Sequence, residues 1–179
     1  KILKHYNLKI KNYFLITLHR PESVDDPKKL KKLILSFEEL GRKFNTKFIF
    51  PVHPRTEKIL KMLKLNNHKF IDFIKPLGFL DFLFLMKNSR IVFTDSGGIQ
   101  EETSLIGVPC ITLRTTTERQ ITIKDKSNIL VGYNHRKIYK SIRYFFNKKI
   151  KPSKTFGDGK VAQRIFKIIK RIDKKSLRF

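Results

Sequence analysis

The chain has 179 residues, 40% of them hydrophobic, and sets 40 Lys and Arg against 15 Asp and Glu for a formal net charge of +25. That length suits one well-buried core and is short for two, so a single domain over residues 1–179 is expected, and no apolar run reaches the roughly 20 residues that span a bilayer. The lone Cys110 excludes an intrachain disulfide, which suits a cytoplasmic protein. The opening Lys1-Ile2-Leu3-Lys4-His5-Tyr6 has neither the apolar stretch of a secretory signal nor an initiator Met, so the chain is expected to begin partway through a longer protein. A basic balance is a footprint of nucleic-acid binding. Here, however, the lysines recur at Lys28-Lys29, Lys31-Lys32, Lys58, Lys61, Lys64, Lys148-Lys149 and Lys174-Lys175, mostly on predicted helix faces or tails. Dispersed charge reads as solvated surface, and a nucleic-acid module is kept only as an alternative of another class.

Strand-length apolar runs alternate with helical patterns, the signature of an α/β fold with a parallel sheet. Tyr13 to Leu18 is a strand, followed by a helix from Pro27 to Lys43 with Asp25 or Asp26 as N-cap and Leu30, Leu33, Ile34, Phe37 and Leu40 on one face. Lys47 to Val52 is a second strand, with a short helix from Thr56 to Leu63. Phe70 to Ile74 is a third, followed by an apolar helix from Phe79 to Lys87. Ile91 to Thr94 leads into a helix from Gln100 to Ile106, ended by Gly107-Val108-Pro109. Cys110 to Leu113 and Asn128 to Val131 complete the strands; in the former, Cys110 reads as a buried thiol. A helix from Arg136 to Phe146, a turn at Phe156-Gly157-Asp158-Gly159 and a closing helix from about Lys160 to Ile172 end the chain.

In such a sheet, ligands sit beyond the carboxyl ends of the strands. Polar residues mark that edge: His19-Arg20, His53-Pro54-Arg55, Pro76-Leu77-Gly78, Asp95-Ser96-Gly97-Gly98, and Arg114 with Thr115 to Arg119. Thr94 to Glu102 reads as strand, glycine turn and helix, in which the backbone N–H groups at the positive helix end suit a phosphate or diphosphate. An acidic residue one turn into that helix accepts hydrogen bonds from sugar hydroxyls, which points to a nucleotide-sugar. The chain has no Gly-x-Gly-x-x-Gly, Walker lysine or Gly-x-Ser-x-Gly, against the dinucleotide, ATPase and α/β-hydrolase readings. The Asp-Ser-Gly-Gly string also surrounds the nucleophile of trypsin-like proteases, but those are all-β. His19 and His53 lack a second histidine or cysteine at ligand spacing, so no metal is expected. Hydrogen bonding or proton delivery to a phosphate-bearing ligand suits them better. Structural roles remain open for His53 as a strand cap, Asp95 as a brace for its own turn, Glu101 and Glu102 as first-turn acids, and Thr117-Glu118-Arg119 as a helix cap.

Taken together, His19-Arg20-Pro21-Glu22, Pro51-Val52-His53-Pro54, Thr94 to Glu102, Leu113-Arg114, Thr117-Glu118-Arg119, Leu130-Val131-Gly132 and Phe156-Gly157-Asp158-Gly159 resemble, in order and spacing, the C-terminal half of the non-hydrolysing UDP-N-acetylglucosamine 2-epimerases. The resemblance runs across nearly the whole chain. It implies a Rossmann-like parallel sheet with helices on both faces, the C-terminal domain of a glycosyltransferase-B-type two-domain fold. It also implies that His19, Ser96, Gly97, Gly98 and Arg119 hold the diphosphate, Glu102 the ribose hydroxyls, and Leu77 and Phe82 the uracil. His53 corresponds to a histidine of a second, regulatory UDP-N-acetylglucosamine site in bacterial members. The family reaction resembles elimination of UDP to a glycal and its re-addition with C2 inverted, giving UDP-N-acetylmannosamine for cell-surface polysaccharides. The carboxylate bases lie in an N-terminal domain that this chain does not contain, so the chain alone is expected to be inactive. No cofactor is implied, and the complete protein is expected to be a homodimer. Two departures stand out: Gln120-Ile121 follows Arg119 where the family has Pro-Glu or Pro and an apolar residue, and Ser23 replaces a common Asn. A nucleotide-sugar-dependent glycosyltransferase C-terminal domain is the alternative enzyme.

Overall fold

The computed structural model describes residues 1–65 and 67–176. In chain order its elements are α1 (Ile2–His5), β1 (Tyr13–Thr17), α2 (Pro21–Val24), α3 (Pro27–Phe44), β2 (Lys47–Pro51), α4 (Pro54–Met62), β3 (Ile71–Ile74), α5 (Phe79–Asn88), β4 (Ile91–Thr94), α6 (Gly97–Ile106), β5 (Cys110–Thr112), α7 (Gln120–Lys124), β6 (Asn128–Leu130), α8 (His135–Phe145) and α9 (Val161–Ser176). Each strand lies within one residue of its expected bounds. The short α1 and α2 were not foreseen, and α7 only through the helix-cap reading of Thr117 to Arg119, because four or five residues cannot display a helical period. α4 and α6 begin two and three residues earlier than expected, at Pro54 and Gly97, and α8 one residue earlier, at His135. Proline is tolerated in a first turn, and Gly97 opens α6 under Glu118 and Arg119, against glycine's propensity.

All strand pairs are parallel, in the order β3-β2-β1-β4-β5-β6. The chain builds outward from β1 in one direction and then, from β4, in the other. That reversal leaves a crevice between the carboxyl ends of β1 and β4. Side chains alternate across the strands, so the sheet has two cores. Phe14, Ile16, Phe48, Phe50, Ile91 and Phe93 face α3 and α8, while Tyr13, Leu15, Ile49 and Val92 face Leu85 and Met86 of α5. The abundance of Phe serves the first face: Phe48 packs 4.9 Å from Phe14, 4.9 Å from Phe37 and 5.3 Å from Phe93, ring centre to ring centre. Each such pair adds about 1 kcal/mol beyond area burial. Cys110 is wholly buried in β5, and burial pushes its thiol up to about 12.

Local chemistry sets the helix ends. Asp26, rather than Asp25, caps α3 by accepting the N–H groups of Lys28 (2.9 Å) and Lys29 (3.1 Å), and Asn45 closes it in the left-handed conformation. α6 ends at Gly107, with φ of +70°. Gly157 and Gly159 also have positive φ, in keeping with the expected turn. The amphipathic α9 starts one residue later than predicted and continues past Ile172. Its apolar Val161, Ile165, Phe166, Ile168, Ile169 and Ile172 are all more than half exposed. No helix among the described residues is long and apolar enough to cross a membrane.

Candidate functional site

The crevice is built by three loops. β1 passes through buried Leu18 to His19 and Arg20, and β4 leads to Asp95, a charged residue with no solvent exposure. The Asp95 carboxylate accepts the backbone N–H of His19 at 3.1 Å and of Arg20 at 3.0 Å, and lies 3.4 Å from Nδ1 of His19. A buried carboxylate is tolerable because charge-assisted hydrogen bonds satisfy it. Asp95 therefore braces the loop after β1 across the crevice. Its own turn is held by Thr94, whose Oγ1 accepts the N–H of Ser96 at 3.0 Å.

Ser96 is the N-cap of α6, and its side chain makes no capping hydrogen bond. The first N–H groups of the helix are thus left for a group approaching from the crevice, with the helix dipole behind them. Gly97 and Gly98 owe nothing to positive φ; what matters is approach. A Cβ on Gly97 would lie 3.2 Å from Oε1 of Glu118 and 3.8 Å from Nε of Arg119, whereas one on Gly98 would meet only Ser96 Oγ, at 3.9 Å.

The loop after β5 closes over this turn. Glu118 accepts from Nη1 of Arg114 at 3.0 Å and lies 3.5 Å from Nη2 of Arg20, while Nε of Arg114 lies 3.2 Å from Glu22. Its own backbone N–H and Arg114 hold the Glu118 carboxyl below the ordinary carboxylate range. Pairs this exposed contribute little stability, but they tie the β1 and β5 loops together across β4. Arg119, the N-cap of α7, pairs through Nε with Glu101 without the alignment of a hydrogen bond. Glu102, one turn into α6, is half-buried; burial first, and Glu101 second, raise its carboxyl.

His19, Ser96, Gly97 and Arg119 are thus brought to one place, with Gly98 and Glu102 on the same helix. Leu77 and Phe82, half-buried, pack with Ile99 against the α5 core beside it. His53 stands exposed in the turn between β2 and α4, two strands along the sheet from β4. Among the described residues, no group of three or more His, Cys, Asp or Glu is placed to hold a metal ion. Sequence reasoning missed the Arg20–Glu118–Arg114–Glu22 chain and the buried amides Gln100 and Asn128 beneath the site. The only signal for the amides was a polar residue at inward-facing helix and strand positions.

The sequence profile of the family described as UDP-N-acetylglucosamine 2-epimerase matches residues 1–170. A UDP-N-acetylglucosamine 2-epimerase of Methanocaldococcus jannaschii is 44% identical over 162 residues, which cover 88% of this chain and 44% of that protein. The crystal structure of the Methanocaldococcus jannaschii UDP-GlcNAc 2-epimerase in complex with UDP-GlcNAc and UDP matches at 42% identity with a TM-score of 0.84, over 95% of this chain and 48% of that one. A UDP-2,3-diacetamido-2,3-dideoxy-D-glucuronate 2-epimerase of Pseudomonas aeruginosa is 34% identical over 86% of this chain and 43% of that protein. The chain spans about half the length of the curated relatives it matches. Its parallel six-stranded sheet and the profile match agree: the chain belongs to the UDP-N-acetylglucosamine 2-epimerase family.

Proposed function

We propose that residues 1–179 form the UDP-binding half of a UDP-N-acetylglucosamine 2-epimerase, with the bases that act at C2 supplied by the other half, in cis or in trans. The observation that carries this reading is the N-terminus of α6, uncapped by a side chain and ringed by His19, Arg20, Arg114 and Arg119. Elimination removes the C2 proton and breaks the bond from C1 to the diphosphate oxygen, which leaves with the electron pair. Fixed donors aimed at that oxygen lower the barrier, because charge develops there. His19, Arg119 and the N–H groups of Gly97 and Gly98 supply those donors, and Ser96 adds a hydroxyl. Glu102 accepts the ribose hydroxyls, Leu77 and Phe82 flank the uracil, and His53 belongs to a separate regulatory site. The names of the Methanocaldococcus and Pseudomonas relatives share the UDP moiety and differ in the sugar, which suits a common UDP-binding half. The exposed apolar stripe of α9 suits packing against that other half.

UDP is expected to bind this chain weakly in calorimetry, and Ser96→Ala or Arg119→Ala to weaken it further. Absence of any heat at millimolar UDP overturns the reading. An epimerase assay of the chain alone should show no turnover; turnover would move the C2 chemistry into this half.

Glu102 gives the site a pH signature. The ionised carboxylate accepts at both oxygens and protonation turns one of them into a donor, so affinity is complete above its raised pKa and weakens as pH falls through it. The loss therefore begins at higher pH than the ordinary value of 4.5 would set. Glu102→Gln removes that step, while titration of UDP itself affects both proteins alike. Parallel affinity profiles for the two would reject the assignment of Glu102.

A further inference from the structure

Beneath the crevice lies a closed set of buried polar side chains that the reading above does not use. Gln100, Thr112 and Thr122 have no solvent exposure, Asn128 has 1% and Thr117 has 6%. Nε2 of Gln100 donates to the Ser96 carbonyl at 3.2 Å, and its Oε1 accepts from Thr117 at 2.7 Å and from Asn128 Nδ2 at 3.1 Å. Nδ2 of Asn128 also donates to Oγ1 of Thr122 at 3.0 Å, and its Oδ1 accepts from Thr112 at 2.8 Å. Each threonine hydroxyl donates once. Thr117, donating to Gln100, accepts the backbone N–H of Arg119 at 3.0 Å, and Thr122, accepting from Asn128, donates to the Arg119 carbonyl at 2.8 Å.

Both backbone groups of Arg119 are therefore held by hydroxyls whose other partners are the two amides, and one of those amides also holds the first residue of the glycine turn. Thr115, Thr116, Glu118, Gln120 and Ile121 around them are exposed, so Thr117 and Thr122 are the buried side chains of this segment; the exposed Glu118 pairs, the Gln120 Nε2 bond to the Thr117 carbonyl (2.8 Å) and the Thr122 N–H bond to the Arg119 carbonyl (3.0 Å) add to them. A fully satisfied buried network costs little in folding and selects one arrangement, whereas apolar residues of the same volume would leave the loop without direction.

We propose that Gln100, Asn128, Thr117 and Thr122 form a positioning relay that fixes Arg119 relative to the N-terminus of α6. Neither amide touches the ligand; the relay acts through Arg119 and the Ser96 carbonyl, and it rests on the reading that Arg119 contacts the diphosphate. Its function is to keep the guanidinium and the helix N–H groups in one register before UDP arrives, which removes an ordering cost from binding.

The test is an NMR titration of the full chain with UDP, comparing Thr117→Val, which keeps the shape and loses the hydroxyl, with Thr117→Ser, which keeps the hydroxyl. Thr117→Val is expected to weaken UDP about tenfold and Thr117→Ser less than about twofold, and in an Arg119→Ala background the Thr117→Val loss is expected to shrink below about twofold. The Nε–Hε resonance of Arg119, read without UDP, should shift toward that of a solvated arginine in Thr117→Val and stay in place in Thr117→Ser. If Thr117→Val does not fold, Thr117→Ala carries the same expectations. Equal losses in both backgrounds, an unmoved Arg119 resonance, or parental affinity in Thr117→Val overturns the relay. If Arg119→Ala alone leaves UDP binding unchanged, the contact between Arg119 and diphosphate falls, while the resonance still decides whether Thr117 orders the side chain.

Discussion

Asp95→Ala is expected to destabilise the chain by about 3 kcal/mol, because two backbone N–H groups lose a charged acceptor inside the protein. The donors left behind belong to His19 and Arg20, so the damage falls on the loop after β1 rather than on the turn that contains Asp95. Thr94 still accepts the Ser96 N–H, and α6 should start where it does now. UDP affinity is expected to fall more than in His19→Ala, since the whole loop loses its anchor. Asp95→Asn keeps one acceptor oxygen and is expected to lie between the two. Urea unfolding reads the effect as a lower midpoint at unchanged slope. A midpoint for Asp95→Ala within experimental error of the parent would show that the carboxylate is no anchor.

Gly107→Ala is expected to cost a similar amount, about 3 kcal/mol, through strain and overlap together. Its φ of +70° is left-handed, and a Cβ there would lie 2.8 Å from the Ile150 carbonyl oxygen and 3.0 Å from Cδ of Pro152. The carbonyl belongs to a backbone segment that itself docks on α6, with the Ser153 N–H donating to the Ser104 carbonyl at 2.9 Å. Neither the Ile150 carbonyl nor the Pro152 ring can yield by turning a side chain. Gly98→Ala is the contrast. Its φ is not positive and its Cβ would meet nothing nearer than 3.9 Å, so this chain should fold as well or slightly better, as helix propensity favours Ala over Gly. The methyl would occupy the approach to the helix N-terminus, and UDP binding should weaken with no loss of melting temperature. Thermal melts of the two variants beside their UDP titrations separate the roles, and a destabilised Gly98→Ala would refute the distinction.

Strand positions and helix faces could be read because period and turn chemistry are local properties: Tyr13 and Phe14 point to opposite cores for reasons present in six residues. The family resemblance, carried by His19-Arg20, Asp95 to Gly98 and Thr117 to Arg119, reached the same crevice without coordinates. Errors collected where tertiary contact overrides local preference. Gly97 and Gly98 read as a turn and are helix, Gly97 under the packing of Glu118 and Arg119 from the 117–119 loop, which outweighs its propensity. Asp95 allowed a local brace and proved to be a long-range one. Gln100 and Asn128 are separated by 28 residues, and no spacing rule foretells that their amides meet.

The sequence by itself determined the alternation of strands and helices, the polar loops that follow the strands, and a helix after β4, all consequences of neighbours in the chain. Only the tertiary structure decided that β1 lies beside β4 and β4 beside β5. That order brings His19 onto Asp95, Glu118 over Gly97 and Thr117 onto Gln100, because strand pairing, unlike strand formation, depends on residues far apart in sequence.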